Sequence, residues 1–415
     1  FLSNYFPPEV NAPATRLCEH ARQWVADGHT VDVLTSVPNF PEGEVYDGYE
    51  NELTQETRDG VRATRVPMYV SPNEGIIQRV LSYVSFMCSA CWYAGRVPTP
   101  DVVVATSPQF FAALAGVWVA WRKDVPFVVE IRDLWPESIV AVGAMERNLV
   151  VRFFEWVERR LYETADRIVV VTDAFEDEIA EKGISRDKIS VIKNGIETEW
   201  WKQSLDEERL AALQDEHDLT DKFVASYIGT IGMAHRADVL LEAARRCDDP
   251  DIVFMVVGTG AKRDELAARQ AELQLDNFRL VDKVPKETVP YLLALSEVSV
   301  VHLRDDPLFE TVIPSKMFES MITRTPLVLG VRGEARSIVE TAGAGLPIPP
   351  EDPGALAEAV RRLKENPELR EEMAENAHEY VQAHYDREGL ARDYASLLAE
   401  VTGAEAPQAP VRSRA

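Results

Sequence analysis

Three charged side chains follow an apolar run in the first half of the chain. The run Val125–Ile131 leads directly into Arg132 and Asp133, and Glu137 comes four residues later. Charged residues at the end of a buried strand are poorly placed for packing and well placed for chemistry. Asp133 or Glu137 would accept a proton, and Arg132 would offset the charge of a phosphate. The structural alternative is an ion pair between Arg132 and a carboxylate.

A lysine at a predicted helix start forms the second candidate site. Pro314 and Ser315 are typical of a helix start, where backbone N–H groups are free. Lys316 lies in the first turn, where the helix dipole disfavours a cation unless an anion such as a diphosphate is bound. Glu319, one turn later, would accept hydrogen bonds from ribose hydroxyls. The alternative is a capped surface helix with a chance Lys/Glu pair.

Glycine turns follow two predicted strands in the second half. Gly229, Thr230 and Gly232 come after the strand that ends at Ile228, and Gly258–Gly260 follows the next strand. Backbone N–H groups at such a turn form a phosphate site. The first turn lacks the Lys-Ser/Thr of a P-loop and the third glycine of a dinucleotide fingerprint. A purely structural turn is the alternative for the first, and the favoured interpretation of the second.

Short β-branched runs alternate with helical periods in the first half, which is typical of a parallel sheet covered on both faces. The predicted strands are Thr30–Thr35, Val61–Pro67, Asp101–Ala105, Val125–Ile131, Arg167–Val171 and Ile189–Ile192. The predicted helices are Ala14–Asp27, Ile76–Gly95, Pro108–Arg122, Glu146–Ala165 and Asp173–Lys182.

The alternation stops at a polar stretch, Glu197–Asp221, and then restarts. The predicted strands are Phe223–Ile228, Ile252–Val257, Phe278–Leu280, Val298–His302 and Pro326–Gly330. The predicted helices are Arg236–Arg246, Ala261–Leu273, Lys286–Leu295, Lys316–Thr323, Arg332–Thr341, Asp352–Asn366, Glu368–Tyr385 and Glu388–Val401.

The pattern predicts an α/β protein with two doubly wound, Rossmann-like domains that face each other across a cleft. Residues 1–195 form the first domain, 196–387 the second, and 404–415 a disordered tail. Ligands of open α/β sheets bind at the carboxyl ends of the strands. Such a cleft therefore suits transfer of a group from a donor to an acceptor.

The charge balance narrows the class of partner. Asp and Glu number 69 against 44 Lys and Arg, which gives a net charge of −25, so a nucleic-acid partner is excluded. Only 11 of the 44 cations are lysine, and this excess of carboxylate suits a high-salt cytoplasm. An ordinary acidic bacterial protein is the alternative.

The cysteines and apolar segments indicate a cytoplasmic protein. Four cysteines do not make a disulfide framework, and Cys88 and Cys91 are predicted to pack in the core rather than form a redox pair. No His/Cys cluster has metal-ligand spacing, so no metal site is predicted. No signal peptide or membrane span is predicted. Ile76–Arg96 and the patch of Trp118, Trp121, Arg122 and Lys123 are candidates for peripheral membrane contact, against ordinary burial. The oligomeric state is left open.

Five segments occur in a fixed order along the chain: Tyr5–Glu9, Gly28–Thr35, Arg132–Glu137, Lys193–Gly195 and Pro314–Lys316. Together they resemble the nucleotide-sugar glycosyltransferases of family four, which have the two-domain GT-B fold. The resemblance runs from residue 1 to about residue 400. Within the family, the chain is most similar to the L-fucosaminyltransferase-like branch of bacterial surface-polysaccharide enzymes.

The resemblance implies retaining, metal-independent transfer without a cofactor. The donor would be a nucleoside-diphosphate sugar, UDP-linked and N-acetylated or deoxy, and the acceptor a saccharide or polyprenyl-linked saccharide bound by the first domain. The residues it places at the donor are Gly229, Thr230, Gly232, Val284, Pro314, Ser315, Lys316 and Glu319. The first glycine turn would face the diphosphate, Lys316 would neutralise it, Glu319 would hold the ribose and the backbone near Val284 would meet the base. The helix at 388–401 would pack back on the first domain.

The chain departs from the family pattern at three positions. Thr311 stands where many relatives have a glutamate that touches the donor sugar, Arg132 stands where many have a histidine, and a phosphate-binding lysine near His235 is missing. The residue that touches the sugar is therefore left open. The alternatives are a GT-B epimerase, which needs paired acids and histidines, and a non-catalytic nucleotide-sugar sensor, which could discard the segment Arg132–Glu137.

Overall fold

A computed structural model describes residues 1–40, 42–71, 76–107, 110–136 and 148–404. The chain divides into two compact units: Phe1–Asn194 with Arg387–Ala415, here called unit 1, and Gly195–Asp386, here called unit 2. Glu137, the predicted helix residues within 137–147, and residues 108–109 lie outside the described residues. So does the predicted tail, apart from Ala404.

Unit 1 is built on a sheet whose pairings are parallel except for one hairpin. Its strands are β1 (Asp32–Ser36), β2 (Thr54–Arg58), β3 (Val61–Val66), β4 (Val103–Thr106), β5 (Phe127–Ile131), β6 (Arg167–Val170) and β7 (Ile189–Val191). The strand orders are β1-β3-β2 and β4-β5-β6-β7. Leu2 bridges Leu34 and Ala105, which joins the two parts into one sheet.

The strand β2, antiparallel to β3, was not predicted. Its sequence Thr54–Arg58 contains no apolar residue and alternates between half-buried and exposed positions, so it gives no hydrophobic signal. Asp59 and Gly60, both at positive φ, form the turn to β3. An Asp-Gly pair between strands is typical of a hairpin.

Helices cover the sheet of unit 1, and several begin at residues with a clear capping function. They are α1 (Ala12–Ala26), α2 (Ile76–Tyr93), α3 (Phe110–Lys123), α4 (Leu149–Thr164) and α5 (Asp173–Glu181). Asn11 caps α1 by accepting the Ala14 N–H at 3.0 Å, and Asn148 caps α4 through the Val150 and Val151 N–H groups. The predicted core position of Cys88 is wrong: Cys88 is exposed and Cys91 half-buried, because the buried stripe of α2 runs through Phe86 and Ala90.

Unit 2 has a six-stranded sheet that is parallel throughout. Its strands are β8 (Phe223–Ile228), β9 (Ile252–Val257), β10 (Phe278–Val281), β11 (Val298–His302), β12 (Leu327–Gly330) and β13 (Gly345–Pro347), in the order β10-β9-β8-β11-β12-β13. The first five residues of β8 and all six residues of β9 are buried, as continuous apolar runs in parallel sheets require. Strands β8, β9 and β11 coincide with their predicted bounds.

The helices of unit 2 are α6 (Thr198–Trp201), α7 (Glu207–Glu216), α8 (Asp238–Arg246), α9 (Arg263–Leu273), α10 (Val289–Ala294), α11 (Lys316–Ile322), α12 (Glu334–Ala342), α13 (Pro353–Glu365) and α14 (Pro367–His384). Helix α7 lies in the polar stretch Glu197–Asp221, to which the sequence pattern assigned no helix. Asp206 caps it by accepting the Glu208 N–H at 2.9 Å, but none of its residues is buried, so it lacks the apolar face that periodicity detects.

The last described helix, α15 (Arg387–Thr402), returns to unit 1 and packs on α1. The Trp24 indole donates to the Ala391 carbonyl at 2.8 Å, and the buried Tyr394 ring meets Trp24 edge-on at 5.4 Å. None of the described helices combines the length and apolar character needed to cross a bilayer. Two parallel α/β units confirm the predicted fold class.

Candidate functional site

Lys316 brings a buried cation to the carboxyl end of β8. Its Nζ lies 3.7 Å from the centroid of the Tyr227 ring, and a Cβ on Gly229 would be only 2.8 Å from the same atom. The Nζ is inaccessible to solvent, and no described residue hydrogen-bonds it. Burial lowers the pKa of Lys316 to about 7, and the Glu319 carboxylate acts in the opposite direction. A buried ammonium with only a ring beneath it is suited to an anionic ligand.

In the turn after β8, two backbone N–H groups donate to carbonyl oxygens, and two others remain available to a ligand. The Gly229 N–H donates to Val257 O and the Ile231 N–H to Thr259 O, both at 2.9 Å. The N–H groups of Thr230 and Gly232 find no acceptor within the described part of the chain. Gly229 was predicted to face a phosphate. That stays a prediction. In the structure, Gly229 has a φ of +146°, and its missing side chain leaves space for the Lys316 ammonium.

The second glycine turn locks the first in place. A Cβ on Gly258 would lie 1.9 Å from Gly229 O, and one on Gly260 would lie 2.5 Å from Ile231 O. Both glycines have φ near +150°. The Tyr227 hydroxyl donates to Thr230 O at 2.7 Å and fixes the turn from below. The segment is therefore a close backbone contact that positions the turn.

A histidine pair anchors the far side of the same turn. His302 Nε2 accepts the Glu351 N–H at 2.8 Å, so Nδ1 carries the proton and donates to His235 O at 3.2 Å. Burial, and then the charge of Lys316, lowers the pKa of His235 to about 4, so its ring is neutral at pH 7. Sequence reasoning missed both anchoring residues, since lone histidines give no spacing signal.

The other predicted donor residues lie at the same edge of the unit 2 sheet. Pro314 and Ser315 immediately precede α11, and Glu319 lies one turn after Lys316 on that helix. Ser315 has helical φ and ψ and makes no side-chain cap. Val284 follows β10, the strand next to β9, and packs half-buried on the apolar cluster that includes Val257.

In unit 1, Arg132 lies at the carboxyl end of β5 with an unsatisfied guanidinium. Its Nε and Nη1 are buried and have no partner among the described residues, while its backbone N–H donates to Ser107 Oγ at 2.9 Å. Burial lowers the pKa of Arg132 to about 10, which leaves it charged at neutral pH. Asp133 follows it in a half-buried bend. Two of the three predicted charged residues are thus placed where the sequence indicated.

The buried carboxylate beside Arg132 is Glu130, which sequence reasoning did not assign. It accepts from Arg16 Nε at 2.9 Å and from Thr106 Oγ1 at 2.8 Å. Burial alone would raise the pKa of Glu130, but the charges of Arg16 and Arg132 hold it below its usual range. The ion pair suggested for Arg132 is therefore made by Arg16, which also donates to Ile192 O, Lys193 O and Asn194 Oδ1.

Replacing Arg16 by lysine is expected to destabilise unit 1 by about 2 kcal/mol, because an ammonium cannot keep the four directed bonds of the guanidinium. Urea unfolding measures the loss. Arg22→Lys is the matched control on the same helix, because Arg22 pairs with Asp59 in an exposed position and should cost less than about 1 kcal/mol. Equal losses in the two variants would contradict a structural function for the buried pair.

The segment Tyr5–Glu9 is held by its own acid. Glu9 is buried and accepts the N–H groups of Phe6, Asn39 and Phe40 at 2.9 to 3.4 Å. Burial raises the pKa of Glu9 to about 6 despite these bonds. Its carboxylate ties the loop after Leu2 to the loop after β1, so this acid serves the scaffold. No group of three or more His, Cys, Asp or Glu side chains suited to a metal occurs among the described residues.

Two family models match most of the chain. The Glycosyl transferase 4-like domain matches residues 11–195, and the Glycosyl transferases group 1 model matches residues 211–380. WcaI of Escherichia coli (strain K12), a glycosyl transferase assigned to colanic acid biosynthesis, is 23% identical over 94% of this chain and 96% of its own. The alpha-D-kanosaminyltransferase of Streptomyces kanamyceticus is 26% identical over 67% of this chain and 71% of its own.

Solved structures share the architecture. Anabaena HepE in complex with UDP and glucose superposes with a TM-score of 0.70 at 16% identity, over 96% of this chain and 98% of its own. WaaG, a glycosyltransferase of lipopolysaccharide biosynthesis, has a TM-score of 0.64 at 15% identity, over 97% and 99%. The fold is GT-B, and the protein is a glycosyltransferase. The chain belongs to glycosyltransferase family four.

Proposed function

We propose that the protein transfers a sugar, with retention of anomeric configuration, from a UDP-linked N-acetyl or deoxy sugar to a saccharide or lipid-linked saccharide in surface-polysaccharide biosynthesis. The observation that carries the proposal is the buried Lys316 Nζ, which has no hydrogen-bond partner in the described structure and lies beside the glycine turn. An anion, here the diphosphate, is the ligand that such a cation requires.

The donor site supplies charge stabilisation where the leaving group forms. Lys316 faces one side of the diphosphate, and the free N–H groups of Thr230 and Gly232 donate to its oxygens. As the bond from the anomeric carbon to the phosphate oxygen breaks, negative charge grows on the diphosphate. A fixed cation and fixed dipoles at that position stabilise the transition state without reorganisation.

The relatives support this choice of substrates. Among them are enzymes named for colanic acid biosynthesis, for kanosaminyl transfer and for D-rhamnosyl transfer. The HepE structure of the same fold contains UDP and glucose. The family likewise favours transfer over epimerisation or simple binding. We propose a UDP-sugar donor and a growing envelope saccharide as acceptor, with no metal or cofactor in the reaction.

The acceptor chemistry belongs to unit 1. The acceptor hydroxyl attacks the anomeric carbon on the face from which the diphosphate departs, and its proton passes to the departing phosphate oxygen. Asp133 orients the hydroxyl, and Arg132 binds negative charge of the reacting pair through its unsatisfied Nε and Nη1. Glu137, outside the described residues, is the further acid predicted for this side.

Release of UDP tests the whole proposal. The full chain is incubated with a panel of nucleotide sugars, with and without saccharide acceptors, and UDP is quantified by a coupled assay. Acceptor-dependent UDP release supports transfer. Conversion of the donor to another sugar nucleotide without acceptor would favour an epimerase, and saturable binding without turnover would favour a sensor.

Arg132→Gln is expected to lower kcat/KM for transfer by at least about tenfold, because it removes a charge from the acceptor side. UDP affinity should change less than about twofold, since the donor contacts lie in unit 2. Isothermal titration with UDP and the transfer assay measure the two quantities. Arg22→Gln, an exposed arginine of unit 1, is the control. A parallel loss of UDP affinity would instead assign Arg132 to the donor.

A further inference from the structure

Large apolar side chains are exposed on one helical layer of unit 1. Thirteen are exposed in the described part of the chain, and nine of these lie on α2, α3 and α4. The nine are Val80, Leu81, Trp92, Trp118, Trp121, Leu149, Val150, Phe153 and Trp156, here called the apolar face. Monomeric proteins rarely expose contiguous apolar patches unless they serve an interaction.

The three helices are neighbours, so the apolar face is one surface. Helix α2 packs on α3, and α3 meets α4 through Phe111 and Phe154, whose ring centroids are 6.3 Å apart. The exposed residues of α4 at positions 149, 153 and 156 follow helical spacing along one stripe. Each helix also has a buried stripe toward the sheet, such as Phe86 of α2 and Val119 of α3. The exposed stripes are therefore extra to what the fold needs.

The same helices are basic on an acidic protein. Helices α2, α3 and α4 together contain six Arg and Lys against three Glu. One of those acids, Glu158, is buried and bonded to Lys182, the residue after α5. The layer carries a net charge of +3 on a chain of −25, so the remainder of the chain carries −28. The Arg160 guanidinium lies 5.7 Å over the Trp156 ring, which places aromatic and cation side by side.

This combination fits one kind of partner. A second copy joined through the same face would be isologous and would press two basic layers together. A bilayer with anionic headgroups accepts both features, because Trp and Phe enter the interface while Arg and Lys reach the headgroups.

We propose that the apolar face docks unit 1 onto an anionic lipid surface. The rest of the chain, which carries the negative charge, is repelled from the same surface, so attraction and repulsion together orient the protein. The inference does not depend on the donor site, and it goes beyond the segments singled out from the sequence, because α4 supplies four of the nine residues.

Vesicle flotation tests the docking. The full chain is mixed at low salt with vesicles of phosphatidylcholine alone or with added phosphatidylglycerol. We expect flotation only with phosphatidylglycerol, and loss of flotation at high salt, because each basic side chain contributes about 1 kcal/mol near an anionic surface. Quenching of tryptophan fluorescence by brominated acyl chains locates the contact.

Two variants and one control separate the contributions. The triple change Trp92→Ala, Trp121→Ala and Phe153→Ala, and the pair Arg152→Glu with Arg160→Glu, should each weaken vesicle partitioning by at least about tenfold. Val10→Ala removes an apolar side chain that is 88% exposed outside the face, and should float like the parent. The variants lie in unit 1, so an unchanged urea unfolding transition of that unit shows that they are folded.

Failure of the parent to float at low salt would overturn the proposal. So would equal flotation of the triple variant. Concentration-dependent dimerisation that the triple variant abolishes would assign the face to a second copy of the chain, and would equally overturn it.

Discussion

Replacing Lys316 by methionine is expected to lower kcat/KM for sugar transfer by at least about a hundredfold, the loss typical of removing one preorganised charge contact to a developing anion. Methionine keeps the length and apolar stem, so the Tyr227 ring stays covered. The transfer assay gives kcat and KM separately. We expect kcat to fall and KM to rise, because the lysine contacts the diphosphate in the bound donor and in the transition state.

The shifted pKa of Lys316 gives the same prediction a second readout. The lysine titrates near 7 in the folded protein against 10.5 in an unfolded chain, so between these pH values the unfolded state binds more protons and stability rises with pH. A bound diphosphate restores the charge. UDP binding at pH 8 should therefore take up close to one proton, measured by titration calorimetry in buffers of different ionisation enthalpy.

The control for Lys316→Met is Lys202→Met, an exposed lysine of unit 2 that directly follows α6 and, among the described contacts, pairs only with Glu199 of that helix. It should leave turnover and proton uptake unchanged. The methionine variant at 316 should also be more stable than the parent without ligand at pH 7, because it no longer buries a cation. Near-normal turnover in Lys316→Met, or unaltered proton uptake, would contradict the proposed donor site.

Replacing Gly258 by alanine is expected to destabilise unit 2 by at least about 4 kcal/mol. The new Cβ would lie 1.9 Å from the Gly229 carbonyl oxygen, and the backbone φ of +149° is itself strained for alanine. The atoms that the new Cβ would contact belong to the Gly229 backbone, so no side chain can rotate away to relieve the clash. Urea unfolding measures the loss, and UDP binding reports displacement of the turn beside Lys316.

Gly28→Ala isolates the conformational part of that effect. Gly28 has a φ of +94°, but a Cβ there would meet no atom within 4 Å. We expect a cost of about 1 kcal/mol, the usual penalty for alanine at a glycine position of positive φ. If Gly258→Ala cost no more than Gly28→Ala, the close approach of the two turns would not hold the donor site together.

Much of the fold could be predicted because buried parallel strands appear in the sequence as continuous hydrophobic runs. The strand residues 223–227 and Ile252–Val257 are buried on both faces, and a continuous hydrophobic run is what such burial requires. The polar hairpin strand at Thr54–Arg58 and the surface helix at Glu207–Glu216 contain no such run, so neither element could be predicted from the hydrophobic pattern. Cys88 was misplaced because α2 is apolar on two faces, and composition alone does not say which one the sheet covers.

The candidate site was predictable in its residues and less so in its contacts. Lys316 stood out because a cation at a helix start is locally unfavourable, and Gly229 and Gly232 because they interrupt a strand-to-helix transition. Which N–H groups of the turn remain free depends on Val257 and Thr259 of the next strand and turn. Likewise, Arg16 and Glu130 are 114 positions apart, and a pairing at that separation leaves no local pattern.

Helix α15 has a consequence for how the chain is made. It supplies Tyr394 to the face where Trp24 and His20 lie buried, yet the ribosome produces it after the whole of unit 2. Unit 2 can therefore fold completely during synthesis, while the first unit still exposes Trp24 and His20 at the surface that α15 later covers. A chain whose synthesis stalls before Arg387 lacks α15 and keeps these aromatic side chains exposed, so it should become a target for chaperones and proteases.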